Sequence, residues 1–129
     1  MRVHSHFGSG YLEEVYKNAL MVELQALGVE AKAEVPIKVY YRNVMVGNYK
    51  ADIIVEDQLI LELKAVSALV PRHEAQLVNY LTAIGIDDGL LLNFGSSSLD
   101  FKHKYRVYRS QDESDDNPVN PVNPVECNI

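Results

Sequence analysis

The stretch KADIIVEDQLILELKAV, residues 50–66, decides how this chain folds. Two apolar runs, 53–55 and 59–61, flank the turn candidates Glu56, Asp57 and Gln58, which predicts two antiparallel strands joined by a tight loop. Three charges interrupt the apolar pattern: Asp52, Glu62 and Lys64. Alternate side chains of a strand share a face, so Glu62 and Lys64 lie together while Leu61, Leu63 and Ala65 take the other side. One account of the pair is a half-exposed strand with a solvated polar face, common in antiparallel sheets.

Register separates that account from a second. A three-residue loop pairs Val55 with Leu59 and brings Asp52 opposite Glu62, whereas a two-residue turn sets Asp52 against Leu63, on the wrong face. In the first register two carboxylates confront each other beside an ammonium, an arrangement that calls for a proton or a cation. Mg²⁺ suits it, because that ion takes one or two carboxylates and completes its shell with water and phosphate oxygens.

The flanking sequence supplies the rest of the sheet and its helices. VPIKVYYRNVMVGNYK, residues 35–50, adds strand-like runs about a turn near Arg42 and Asn43, so residues 35–66 predict a three-strand meander. Residues 10–27 carry Leu12, Val15, Tyr16, Ala19, Leu20, Leu24 and Leu27 at helical spacing, with Gly28 as a C-terminal stop. Pro71 suits the first turn of a second helix running to Ile84 and closed by Gly85. GLLLNF, residues 89–94, reads as a short buried strand, and YRVY, residues 105–108, as a candidate for another. The order predicts an α/β fold with helices against a small mixed sheet.

At 129 residues the length predicts one domain. No run approaches the roughly 18 apolar residues of a membrane span, and no charged-then-apolar leader opens the sequence, so the expectation is a cytoplasmic protein with no membrane partner. The single cysteine, Cys127, has no partner for a disulfide or a cysteine metal site. The net charge of −6 argues against phosphate binding until its distribution is considered. Five of the 18 acids and none of the 12 Lys and Arg residues follow Arg109, so residues 1–109 hold 12 basic against 13 acidic groups. That body is near neutral and has no basic patch of the kind that drives independent DNA binding. Residues 110–129 repeat Asn-Pro-Val behind a cluster of acids and read as a disordered tail separate from the folded domain at 1–109.

Asp52 followed by Glu62-Leu63-Lys64 resembles the Asp…Glu-x-Lys signature of the PD-(D/E)xK nuclease superfamily. Gly10-Tyr11-Leu12-Glu13-Glu14-Val15-Tyr16 reads as G-x-x-E-x-x-Y. With YKADIIVEDQLILELKAV, HEAQLVNYL and LLLNFG in this order, residues 3–108 are similar to the GxxExxY family assigned to that superfamily. The resemblance implies a restriction-endonuclease-like αβββαβ core, a metal-dependent nuclease (a hydrolase of phosphodiester bonds) and a nucleic-acid partner, DNA before RNA. Two departures stand out. The family has a longer helical lead-in than residues 1–7 provide, and Ala51 takes the place of a proline before the aspartate.

By the same resemblance Asp52 and Glu62 are metal ligands for Mg²⁺ or Mn²⁺, with the Leu63 carbonyl as a third, and Lys64 orients or deprotonates the attacking water. Glu13, the family's helical acid, either holds the ion directly or through water, or complements the macrodipole in the first turn after a Gly10 cap. Tyr16 reads as core with its hydroxyl satisfied locally. Gln76 and Tyr80 match a Q-x-x-x-Y extension that supports the active site in some of these nucleases, or form an ordinary polar helix edge together with His73. His4, His6 and His103 read as surface residues. Gly8 and Gly10 follow no strand and precede no phosphate-loop lysine, which argues against a nucleotide-binding loop. Two functions stay open: a Mg²⁺-dependent nuclease using Asp52, Glu62, Lys64 and Gln76, or a nuclease-fold accessory subunit that binds without turnover. The small neutral body points to a homodimer or a protein partner in either case.

Overall fold

The computed structural model describes residues 2–107, and the acidic tail expected at 110–129 lies outside them. The elements are α1 (Arg2–Phe7), α2 (Glu13–Ala26), β1 (Ala31–Tyr41), β2 (Val44–Val55), β3 (Leu59–Lys64), α3 (Pro71–Ile84), β4 (Asp88–Asn93) and β5 (Asp100–Tyr105). The strands form one sheet in the order β1-β2-β3-β4-β5. Only β3 and β4 run parallel; the other neighbours are antiparallel. A parallel pair needs a crossover, and α3 supplies it. The result is the expected α/β, restriction-endonuclease-like arrangement, with α1 preceding the αβββαβ order and β5 added at the edge. Among the described residues no helix is long and apolar enough to cross a membrane.

Local chemistry accounts for the element ends. At the end of α2 the Gly28 N–H bonds Gln25 O and the Val29 N–H bonds Leu24 O, a closure that puts Gly28 at φ 74°. Pro71 opens α3 and Gly85, at φ 81°, closes it. Arg42 and Asn43 both take positive φ and join Tyr41 to Val44 in a two-residue hairpin. Glu56 and Asp57 also take positive φ, within a three-residue loop that pairs Val55 with Leu59.

Three expectations need correction. The first long helix starts at Glu13, not Gly10, because Gly8 and Gly10 hold a left-handed turn ahead of it. Leu12 and Leu27 consequently sit at its caps and are exposed, rather than lying on the apolar stripe. The last strand spans 100–105, not 105–108; the chain leaves the sheet at Arg106, whose N–H bonds Asp87 O.

Two cores sit on opposite faces of the sheet. Leu77, Tyr80 and Leu81 of α3 pack with Ile37, Ala51, Ile54, Ile60 and Leu91. Val3 of α1 and Tyr16 and Leu20 of α2 pack with Ile53, Leu61, Leu63, Leu92 and Phe94. Strand alternation explains most of this, since Ile60 faces α3 while Leu61 and Leu63 face α1 and α2. One pair breaks the rule. Ala51 and Ile53 are two apart yet belong to opposite cores, so β2 rolls over at Asp52. The neighbouring strand is irregular at the same level: Glu34, between the pairs Ala33–Ile53 and Val35–Ala51, has φ 56°. A left-handed glutamate inside a strand is costly, and strain of this kind collects at functional sites.

Candidate active site

The β2–β3 ladder runs Val55–Leu59, Ile54–Ile60, Ile53–Leu61 and stops. At the next position, where Asp52 faces Glu62, side chains replace the backbone acceptors. The Asp52 N–H donates to Glu62 Oε1 at 2.9 Å, and the Leu63 N–H donates to Asp52 Oδ2 at 2.8 Å. Each carboxylate therefore plugs the opening in the opposite strand. Asp52 Oδ1 and Glu62 Oε2 accept no hydrogen bond among the described residues. The three-residue loop thus produces the register that brings the two acids together, with Lys64 two residues beyond Glu62.

Burial and mutual repulsion load this pair. Glu62 is 6 % exposed, and burial, then the Asp52 charge, push its carboxyl up to about 8. The Asp52 N–H and the Lys64 ammonium oppose that rise without cancelling it. Burial also raises Asp52 above the ordinary carboxylate range, against the Leu63 N–H and the charges of Lys17 and Lys64. Glu13, at the first position of α2, is raised by burial and then by Asp52. Three acids that resist joint ionisation form a sink for positive charge.

Several neighbours hold this geometry. The Tyr16 hydroxyl donates to Gly8 O at 2.6 Å and accepts from the Tyr11 N–H at 3.1 Å. It staples the glycine turn, and so fixes where α2 begins and Glu13 stands. Asn93, fully buried, accepts from the Val66 and Gly95 N–H groups at 3.0 Å each, while the Phe94 N–H bonds Lys64 O. The exit of β3 just past Lys64 is thereby locked to the end of β4. A Cβ on Gly95 would meet the Val66 backbone at 2.4 Å, so only glycine admits this approach.

Of the remaining candidates, Gln76 and Tyr80 line a groove beside α3, and no hydrogen bond joins Gln76 to Asp52, Glu62 or Lys64. Tyr80 lies close enough for Glu62 and Asp52 to add to the effect of burial, which together push its hydroxyl up to about 12. His73 caps its own helix, with Nδ1 accepting from the Val70 N–H at 3.2 Å. His6 is exposed, and His103 contacts Asp88 at the surface. His4 is not a surface residue: α1 turns it inward, 9 % exposed, where Nε2 donates to Ser96 O at 3.2 Å and its ring lies 6.1 Å from Phe94.

Sequence reasoning missed Lys17, Glu34 and Asn93. Lys17 sits one turn beyond Glu13 on α2, its ammonium 2.6 Å from the carboxylate of the strained Glu34, and its charge reaches Asp52. It is a second cation beside the acids. The i, i+4 spacing from Glu13 is its only trace in the sequence. Asn93 had a stronger signal, a lone amide inside LLLNF.

The donor set fits a hard divalent ion. Two carboxylates each keep one oxygen uncommitted, and Mg²⁺ is held by one or two carboxylates with water completing its shell. Among the described residues no three His, Cys, Asp or Glu side chains gather into a full cage, so Glu13 stands near the pair rather than within a three-acid group. A mixed sheet that carries a half-buried aspartate on one strand and Glu-x-Lys on the next defines the restriction-endonuclease-like class of domains. The chain belongs to the PD-(D/E)XK nuclease superfamily, whose family profile matches residues 1–106. Its fold is similar to the crystal structure of SSO0001, with a TM-score of 0.56 and 16 % identity over 74 % of this chain and 50 % of that one. The chain thus spans about half the length of that protein, and the likeness is one of fold. No curated protein matches the chain.

Proposed function

We propose that this chain is a Mg²⁺-dependent nuclease that hydrolyses phosphodiester bonds of nucleic acid in the cytoplasm, DNA in preference to RNA, and that within its superfamily it is of the GxxExxY kind. The crossed pair of Asp52 and Glu62 carries this reading: two raised carboxylates, each with one oxygen that accepts no hydrogen bond among the described residues, beside Lys64, in a family that generally uses divalent metals. Asp52 and Glu62 would hold the ion, which supplies Lewis acidity at the phosphoryl oxygens and lowers the pKa of a bound water. The Lys64 ammonium would stabilise the charge that develops in the transition state, with Asn93 holding the backbone just past it. Glu13 and Gln76 serve as supports, Glu13 through water. The Gly10, Glu13 and Tyr16 motif has a physical role in this scheme, because the Tyr16 hydroxyl ties down the turn from which α2, with Glu13 at its first position, begins.

Purified protein incubated with DNA and RNA in Mg²⁺ or Mn²⁺ tests the reading. Cleavage is expected in wild type and absent in Lys64→Ala; cleavage that persists in the variant overturns it. One observation favours a second reading, an accessory subunit that binds without turnover, as a homodimer or with a protein partner. With burial and the Asp52 charge raising Glu62 to about 8, a proton on Glu62 can relieve the repulsion at the site without a metal. Calorimetry decides between them: a folded chain that takes up neither Mg²⁺ nor Mn²⁺ at millimolar concentration is the accessory protein.

A further inference from the structure

A groove of about 320 Å³ opens between the β1–β2 hairpin and α3, lined by Val39, Tyr49, Arg72, Gln76, Asn79 and Tyr80 among others. Its size falls at the lower end of the roughly 300–1,000 Å³ typical of small-ligand sites. The rings of Tyr49 and Tyr80 lie 5.5 Å apart and tilted by 39°, and Tyr49 remains 45 % exposed. Tyr49 holds this position by lying across Gly47, where a Cβ would come within 2.7 Å of its Cε2. Polar groups complete the rim. Among the described residues Arg72 has no ion pair, and the amides of Gln76 and Asn79 make no hydrogen bond. Arg72, Gln76, Asn79 and Tyr80 share one stripe of α3, and Tyr80 is also the groove residue that feels Glu62 and Asp52.

We propose that this groove binds one unpaired nucleotide of a nucleic-acid strand, with its base against Tyr49, its edge on Gln76 and Asn79, and a phosphate on Arg72. The inference rests on the nuclease reading above and gives it a substrate class, single-stranded or locally unpaired nucleic acid. A base inside a duplex has both faces covered and cannot stack on Tyr49. The charge balance points the same way: a body with 12 basic and 13 acidic groups draws little affinity from phosphate neutralisation, whereas stacking on an aromatic ring is independent of net charge.

Fluorescence anisotropy with labelled short oligonucleotides tests this on the full chain, in a Lys64→Ala background with Mg²⁺ so that bound strands stay intact. Single strands of DNA and of RNA are compared with the DNA duplex of the same sequence. Single-strand binding, of either sugar, is expected to exceed duplex binding and to weaken at least about fivefold in Tyr49→Ala, the lower bound for loss of one stacked base, while Tyr49→Phe stays near the parent. Asn79→Asp, which adds a negative charge at an exposed helix position, is expected to weaken it in the same direction, and thermal unfolding checks that each variant folds. Unchanged affinity in Tyr49→Ala, equal losses for single strand and duplex, or no single-strand binding at all would overturn the proposal. Cleavage by wild type separates the two failures. A chain that cuts nucleic acid but ignores Tyr49 loses the groove and keeps the nuclease reading; Tyr49-dependent binding without cleavage does the reverse.

Discussion

In Asp52 and Glu62 alike, one oxygen accepts a backbone N–H across the opened ladder and the other accepts no hydrogen bond among the described residues. Structural and chemical roles are therefore separable by isosteric substitution. Asp52→Asn keeps an acceptor for the Leu63 N–H and removes one of two facing charges, so Glu62 ionises more easily. The metal-free variant is expected to be as stable as wild type or up to about 1 kcal/mol more stable in urea unfolding, while Mg²⁺ binding by calorimetry is lost. A large loss of stability would show that Asp52 is a structural acid. Asn93 presents the opposite case. Asn93→Ala leaves the partly buried Val66 and Gly95 N–H groups without their acceptor, at about 1–3 kcal/mol each, so a drop of about 3 kcal/mol is expected, accompanied by loss of cleavage even where the protein remains folded. Near-wild-type cleavage by folded Asn93→Ala would remove its role in placing Lys64.

The elements divide by how local their causes are. Helix α3 was legible because Pro71 and Gly85 mark its ends through backbone geometry that no other residues supply as well. Gly85→Ala forces alanine into the left-handed region at φ 81° and should cost about 1–2 kcal/mol in thermal or urea unfolding; a neutral result would mean that the cap relaxes. The β2–β3 hairpin was legible from its two apolar runs, while its register stayed open between a two- and a three-residue loop until the pairing of Val55 with Leu59 selected the longer one. What was hidden depended on distant partners. The roll of β2 at Asp52 lies level with a positive φ at Glu34, and glutamate carries no sequence mark of that conformation. Edge strand β5 alternates Phe101, His103 and Tyr105 with Lys102 and Lys104, so neither face reads as buried. His4 is drawn inward by Phe94 and Ser96, some 90 residues away in sequence.

At the scale of the whole molecule, the fold and the candidate trio of Asp52, Glu62 and Lys64 were readable because strand alternation and a three-residue loop are enough to bring two acids and one cation onto neighbouring positions. Lys17 and the Tyr49 groove were not, since each depends on how a helix seats against the β1–β2 hairpin. The same assembly couples the site to global stability. Glu62 is raised from 4.5 to about 8, so between those values the folded chain holds a proton that the unfolded chain releases. Such a shift makes stability greatest at low pH and lowers it as pH rises from about 5 to about 8, the reverse of a salt-bridged carboxylate. A divalent ion favours the ionised pair and competes with that proton, so its benefit grows as the proton leaves. Urea unfolding across this range should show metal-free wild type losing a few kcal/mol, Mg²⁺ raising stability more at the alkaline end than at the acid end, and Glu62→Gln flattening both dependences. If wild type and Glu62→Gln trace parallel curves, the buried carboxylate is not the linked group, and the charge sink at the junction of β2 and β3 does not exist.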